Sequence, residues 1–168
     1  GAGAIFGATG GVMEAALRTA AVKLDGKCEP LEFHDVRGTK GLKEATYTVG
    51  GVTVKVAVAS GLANAREIID GILSGERDYQ FVEIMACPGG CINGGGQPVQ
   101  SDAVRNFVDL KAIRAKALYD ADSSMKLRMS HESPVCDMLY KDFFEAPGAH
   151  NAHKYLHTTY VKRGKYQD

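Results

Sequence analysis

No net charge separates this chain from neutrality: twenty lysines and arginines balance twenty aspartates and glutamates over 168 residues. Without a basic excess it carries no electrostatic footprint for nucleic acid, which is bound by clustered Lys and Arg that neutralise phosphates. It has no apolar run approaching the ~20 residues that a bilayer-spanning helix needs, so no membrane span is expected. A charged leader of the kind that opens a secretory signal is missing, and there is no internal repeat or low-complexity tract. The chain also lacks an initial Met. It begins Gly1-Ala2-Gly3-Ala4-Ile5-Phe6, which reads as the end of a strand running into a loop, and the chain is expected to be a piece of a longer protein. Cysteine is scarce, with four in all. Two of them, Cys87 and Cys91, share one glycine-rich loop, while Cys28 and Cys136 are scattered. That distribution fits a metal or redox site better than the disulfide framework of a small secreted domain.

What is present is enough apolar sequence for a real core. Met13, Ala16, Leu17, Ala20, Ala21 and Leu24 recur at helical spacing, predicting a helix from Thr9 to Leu24 that Gly26 ends. Leu31 to Val36 is a short strand candidate. Ala45, Tyr47 and Val49 alternate, Gly50-Gly51 turns the chain, and Val52, Val54, Val56 and Val58 alternate again, which is a hairpin signal. Ala57 and Ala59 make the end of the second strand apolar on both faces. Ala63 to Leu73 reads as a helix with Ile68, Ile69 and Ile72 inward. Tyr79 to Ala86 reads as a buried strand that delivers Cys87 at its carboxyl end, where open α/β sheets place their sites. Beyond Gln100 the pattern turns helical, over Lys111–Tyr119, Val135–Phe144 and Ala149–Leu156. The expected architecture is an α/β lobe over residues 1–100 and a helical extension over 101–168. Leu118, Tyr119, Leu139, Phe143 and Leu156 are its candidate apolar anchors.

The chemistry is concentrated in Met85-Ala86-Cys87-Pro88-Gly89-Gly90-Cys91-Ile92-Asn93-Gly94-Gly95-Gly96-Gln97-Pro98. Two thiolates at Cys-x3-Cys spacing suit an iron–sulfur cluster, although the spacing alone also fits a disulfide, half a zinc site or coincidence. The glycines let backbone approach an inorganic cluster closely and turn N–H groups toward its sulfides. Pro88 suits the first turn of a short helix. Gly7-Ala8-Thr9-Gly10-Gly11 opens a helix but lacks the Lys-Ser/Thr of a phosphate loop. His131, His150, His153 and His157 read as capping or hydrogen-bonding residues, and Glu14 and Arg18 as surface or lobe-contact charges.

The whole string around Cys87 and Cys91, not its spacing, resembles the third signature of the iron-only ([FeFe]) hydrogenases. The likeness extends to Ile5-Phe6-Gly7-Ala8-Thr9-Gly10-Gly11-Val12-Met13-Glu14-Ala15-Ala16-Leu17-Arg18, to Val36-Arg37-Gly38, to the valine strand and to Gly61-Leu62-Ala63-Asn64-Ala65. Arg114 to Tyr119, Ser130-His131-Glu132, His153 and Leu156-His157 resemble the family's small-subunit segment. The resemblance implies one lobe of a two-lobed α/β domain with a mostly parallel sheet flanked by helices. It further implies a fused small-subunit-like helical wrap from residue 101.

The implied cofactor is the H-cluster, a [4Fe–4S] cubane linked to a diiron subcluster with CO, cyanide and a dithiolate bridge. Carried over onto matching positions, Cys87 and Cys91 ligate the cubane and Cys91 bridges to the diiron unit. Met85 packs beside that unit, and Phe6, Gly7, Gly95 and Gln97 line the pocket. The implied activity is reversible reduction of protons to H₂ with an electron carrier such as ferredoxin. The family's first two signatures, which supply the other cubane cysteines and the proton relay, are not in this sequence. The missing half of the catalytic domain must therefore come from the parent chain or a partner, and this piece alone is expected to be inactive. The fused small-subunit segment implies a cytoplasmic location. A hydrogenase-related H₂ sensor and an Fe–S assembly relative are the alternatives.

Overall fold

In the computed structural model, residues 1–30 and 32–164 are described. They divide into two compact units, Gly1–Ser130 and the residues from His131 onward. The first unit is α/β. It opens with a short helix α1 (Ala2–Ile5) in place of the expected strand end, followed by α2 (Gly11–Asp25), which Gly26 closes in a left-handed conformation at φ 75°. The strand expected over Leu31–Val36 is instead a single 3₁₀ turn at His34–Val36, and Leu31 itself lies outside the described residues.

The hairpin forms as its pattern dictates. Strand β1 (Leu42–Val49) pairs antiparallel with β2 (Val52–Ser60), with Val49 opposite Val52. The two-residue loop between them takes φ 61° at Gly50 and 74° at Gly51, the double positive φ that a type I′ hairpin turn demands. Helix α3 (Leu62–Ser74) then crosses over to β3 (Phe81–Met85), which lies parallel to β2 with Ser60 beside Met85. The sheet is thus mixed, in the order β1-β2-β3.

Strand parity sorts the core into two clusters, because successive side chains point to opposite faces. Val56 and Val58 pack with Met13 and Leu17 of α2, Phe33 and Val36. Ala57 and Ala59 pack with Ile68 of α3. The end of β2 is buried on both sides, as its alternating valines and alanines predict. In α3 only Ile68 of the three expected isoleucines is buried; Ile69 and Ile72 are exposed. On β3, Phe81 and Ile84 are exposed while Glu83 is buried, the reverse of what an apolar strand promises.

Past β3, α4 (Asp102–Arg105) and α5 (Leu110–Ser124) still belong to the first unit. Helix α5 is started by the Asp109 side chain, which accepts from the Ala112 N–H at 3.0 Å. Leu118 and Tyr119 are half-buried there, but a charged network joins α5 to α2. Arg18, expected as a surface or lobe-contact charge, is fully buried and donates two bonds to Asp122, at 2.9 and 2.8 Å. Glu14, equally buried, takes bonds from Arg18 at 2.7 Å and from Arg37 at 2.6 and 2.7 Å. Arg128 closes the far end on Asp122 and Glu32, at 2.6 and 2.9 Å. The Arg37 guanidinium also lies 4.2 Å from the centre of the Tyr119 ring.

The second unit contains α6 (Pro134–Leu139), a π turn at Tyr140–Phe144 and α7 (His150–Leu156). Phe143 contacts Phe144 and Tyr155 at ring separations of 5.1 and 5.0 Å. Leu139, Phe143 and Leu156, named above as apolar anchors, all remain exposed. His153 and His157 meet each other, Nδ1 to Nδ1 at 2.6 Å, a hydrogen bond between imidazoles across one helical turn.

Candidate functional site

Strand β3 ends at Met85 and releases the chain into the cysteine loop. The Met85 carbonyl accepts the Gly61 N–H at 2.8 Å, so the strand is held to its neighbour up to the last residue. Cys87 to Gly90 then forms a tight turn closed by Gly90 N–H donating to the Cys87 carbonyl at 2.9 Å. Pro88 stands second and Gly89 third at φ 87°, the signature of a type II turn. Pro88 therefore sets a turn and does not open a helix. The helical piece comes one step later, a 3₁₀ turn over Cys91–Asn93.

A second loop, Gly7 to Gly10, backs the first. Thr9 N–H donates to the Gly89 carbonyl at 3.0 Å, and Ile92 N–H donates to the Gly7 carbonyl at 3.1 Å. Gly90 fits between them with φ 94° and ψ −162°, a backbone region open essentially to glycine alone. A Cβ there would stand 2.7 Å from the Gly7 oxygen and 2.8 Å from the Thr9 nitrogen. Gly90→Ala should therefore lower the unfolding free energy by about 1–3 kcal/mol from backbone strain, before any clash is counted. Gly95→Ala, where an added Cβ meets nothing within 4 Å, should leave the metal-free protein within about 0.5 kcal/mol of its parent. Denaturant midpoints of the two variants check this, and equal midpoints would contradict the close packing of the two loops.

A row of charge supports the second loop from below. Lys43 on β1 pairs with Val58 on β2, which pairs with Glu83 on β3, so all three lie on the α2 face. The Glu83 carboxylate accepts from the N–H groups of Gly10 and Met13, both at 2.7 Å, and so satisfies the start of α2, where donors are unpaired and negative charge is favoured. Lys43 donates to the carbonyls of Thr9 at 3.0 Å and Gly38 at 2.9 Å. Burial pushes the Lys43 ammonium down to about 8, against the opposing pull of Glu83.

The site residues expected from the sequence fall as follows. Cys87 and Cys91 are both exposed, free thiols on one loop. Gly7 joins that loop through its carbonyl, and Gln97 through its side chain, whose Nε2 donates to the Cys91 carbonyl at 3.2 Å. Met85 is half-buried and held through its backbone, and Phe6 is exposed. Gly95 borders a cavity of about 330 Å³ shared with Asn93, Gly94, Gln97, Pro98 and Arg114. Cys28 and Cys136 are free and half-buried elsewhere, and burial pushes the Cys28 thiol up, which makes it a poor thiolate. Sequence reasoning missed Glu83, Lys43 and Arg114. A lone acid inside the apolar run Phe81-Val82-Glu83-Ile84-Met85 is a signal that could have found the first. Among the described residues no group of three or more His, Cys, Asp or Glu side chains is placed to hold a metal ion. No helix there is long and apolar enough to cross a membrane.

Comparison with known proteins agrees with the geometry. Residues 1–95 match the family described as iron only hydrogenase large subunit, C-terminal domain, and residues 108–163 match iron hydrogenase small subunit. The chain is 44% identical over 163 residues to Iron hydrogenase 1 of Clostridium pasteurianum, a match covering 96% of this chain and 28% of that protein. It is 30% identical over 156 residues to the Cytosolic Fe-S cluster assembly factor narfl of Xenopus tropicalis, covering 92% of this chain and 31% of the other. Its fold matches a solved structure of the [FeFe]-hydrogenase HydA1 from Chlamydomonas reinhardtii with a TM-score of 0.71 and 39% identity, over 93% of this chain and 45% of that one. The chain thus spans about a third or less of these two relatives and less than half of that solved chain.

Proposed function

Because the chain belongs to the iron-only hydrogenase family, as the large subunit's C-terminal domain followed by a small-subunit segment, we propose that it is the part of an [FeFe] hydrogenase that supplies Cys87 and Cys91 to the H-cluster. The observation that carries this reading is two exposed thiols on one glycine-rich loop, backed by a second glycine loop through the Thr9 and Ile92 hydrogen bonds. The family implies an iron–sulfur cofactor, and the donor set fits it: soft thiolates are the ligands that Fe–S clusters select, and both are accessible. When bound, the cluster would relay electrons to and from the carrier and supply the iron site for reversible reduction of two protons to H₂.

In this reading the chain's own residues ligate, orient and exclude. Cys87 would hold the cubane, and Cys91 would hold it and link it to the diiron subcluster. Met85, Phe6 and Gly7 would form apolar and backbone wall beside the diiron unit, and Gly95 and Gln97 would help to line the cofactor pocket. A cubane takes four protein ligands, so two more cysteines and the proton relay come from the remaining half of the catalytic domain. That half is the chain's first partner, and an electron carrier such as ferredoxin is its second. Residues 1–100 act as the catalytic lobe and 101–168 as the small-subunit segment, a division that the family boundaries between residues 95 and 108 support. Fusion of the two segments supports a cytoplasmic location.

The likeness to an Fe–S assembly factor favours one second reading, a protein that uses a cubane without a diiron unit; the higher identity to a hydrogenase supports the first. Mössbauer spectroscopy after loading with iron and sulfide tests the half-site. The 168-residue chain alone should hold little cluster, and the chain together with the other catalytic half should hold one cubane. A stable, stoichiometric cubane on the chain alone would contradict it.

A further inference from the structure

Helix α5 lies in the small-subunit segment, yet one of its faces is pressed against both loops of the cysteine site. Lys111, Arg114 and Leu118 stand at i, i+3 and i+7, a single helical stripe. Leu118 Cδ1 lies 2.8 Å from where a Gly7 Cβ would be, and Lys111 Cδ lies 3.3 Å from the corresponding point at Gly89. Between them Arg114 reaches the cysteine loop itself. Its Nη1 donates to the Ile92 carbonyl and its Nη2 to the Pro98 carbonyl, each at 3.0 Å.

Those two carbonyls bracket Asn93-Gly94-Gly95-Gly96-Gln97. Three successive glycines have little conformational preference of their own and lose the most entropy on being ordered. A rigid guanidinium fork fixes both ends of such a segment at once. Ile92, directly after Cys91, is then held from two sides: its N–H by the Gly7 carbonyl and its carbonyl by Arg114. It is also buried. We infer that Arg114 is a positioning residue for the cluster, fixing the Cys91 thiolate by clamping the carbonyls of Ile92 and Pro98 from the small-subunit helix. The ligand's identity rests on the hydrogenase reading above, whereas the clamp is a property of the chain. A lysine cannot replace the arginine here, since a single point charge does not span two carbonyls.

The test compares Arg114→Gln and Arg114→Lys in the complete protein. In the metal-free form, amide exchange at Ile92, Gly94 and Gln97 should rise about tenfold or more in both variants, the loss expected for charge-assisted bonds to backbone. The β1–β2 amides should keep their wild-type rates, which shows that the variants fold. In the cluster-loaded form, the cubane midpoint potential should fall in Arg114→Gln, because a cation that stabilises the more negative reduced state has gone. Arg114→Lys, which keeps the charge, should show a smaller shift. Unchanged loop exchange in both variants would overturn the clamp, and an unchanged potential in Arg114→Gln would overturn its role toward the cluster. Failure of the hydrogenase reading is distinguishable: the wild-type protein would then show no CO and cyanide bands, while the exchange rates would still decide on the clamp.

Discussion

On the proposed assignment, Cys91→Ser in the complete protein should reduce hydrogen turnover to background, whereas Cys87→Ser should leave a damaged cubane and a residual rate. The difference follows from unequal duties on one loop. Cys87 occupies the first position of the type II turn and, in the proposed assignment, holds one corner of the cubane. A serine oxygen is a harder ligand than thiolate but can occupy such a corner. Cys91 opens the 3₁₀ turn, its carbonyl bonded by Gly94 N–H at 3.0 Å and by Gln97 Nε2 at 3.2 Å. The next residue, Ile92, is tied to Gly7. The Cys91 carbonyl thus accepts two bonds where that of Cys87 accepts the Gly90 N–H, and Cys91 is the cysteine assigned to link cubane and diiron unit. Serine there removes an attachment and an electron path together. Hydrogen evolution from a chemical reductant measures both variants. A native rate in Cys91→Ser would transfer the bridge to Cys87.

Arg18→Met should lower the stability of the protein, but by less than the roughly 3–5 kcal/mol that a wholly uncompensated buried charge costs, because Arg37 still pairs with Glu14 and Arg128 with Asp122. Arg18, Glu14 and Asp122 are all fully buried. Burial works against the Arg18 guanidinium, but bonds to Asp122 and Glu14 outweigh it and raise its pKa. Burial likewise opposes the Asp122 carboxylate, yet bonds from Arg18 and Arg128 hold it down to about 2, from an ordinary 3.8. A depressed carboxylate contributes stability that is fully present above its unfolded pKa and is lost as pH falls through the folded one. In the wild type that loss falls between 3.8 and about 2; in Arg18→Met it still begins near 3.8 but is smaller and ends at higher pH, because Asp122 has one cation fewer. Arg18→Met combined with Asp122→Leu should cost less than Arg18→Met alone, since Glu14 keeps Arg37 and Arg128 keeps Glu32. Denaturant midpoints as a function of pH measure all three. Equal stability of wild type and Arg18→Met would show that the network contributes nothing.

Local rules made the hairpin and two helices legible in advance. Gly50-Gly51 between alternating valines admits one tight turn, and α2 and α3 carry helical apolar stripes ended by Gly26 and Gly75, both left-handed. Long-range polar structure was not legible in the same way. Helical periodicity leaves Glu14 and Arg18 off the apolar stripe, as surface or lobe-contact charges, because it counts charge as solvated. Their burial depends on Asp122, 104 residues away from Arg18. Glu83 likewise reads as an interruption of an apolar strand until α2 is seen to start above it. The exposed Phe81 and Ile84 went the other way: composition marks them as core, while β3 is the edge of the three-stranded sheet. In the candidate site, the cysteine motif was visible as a string of residues. The loop that backs it and the α5 arginine that clamps it were not, since nothing in Arg114 or its neighbours signals two backbone carbonyls 22 and 16 residues earlier.

Infrared spectroscopy of the complete protein, matured with the diiron unit, tests the central claim most directly. Terminal CO and cyanide ligands absorb where protein does not, and a cubane-only assembly relative has neither. CO and cyanide bands are expected in the wild-type protein, as is their loss in Cys91→Ser. A wild-type protein that holds its cubane yet shows no such bands would contradict it.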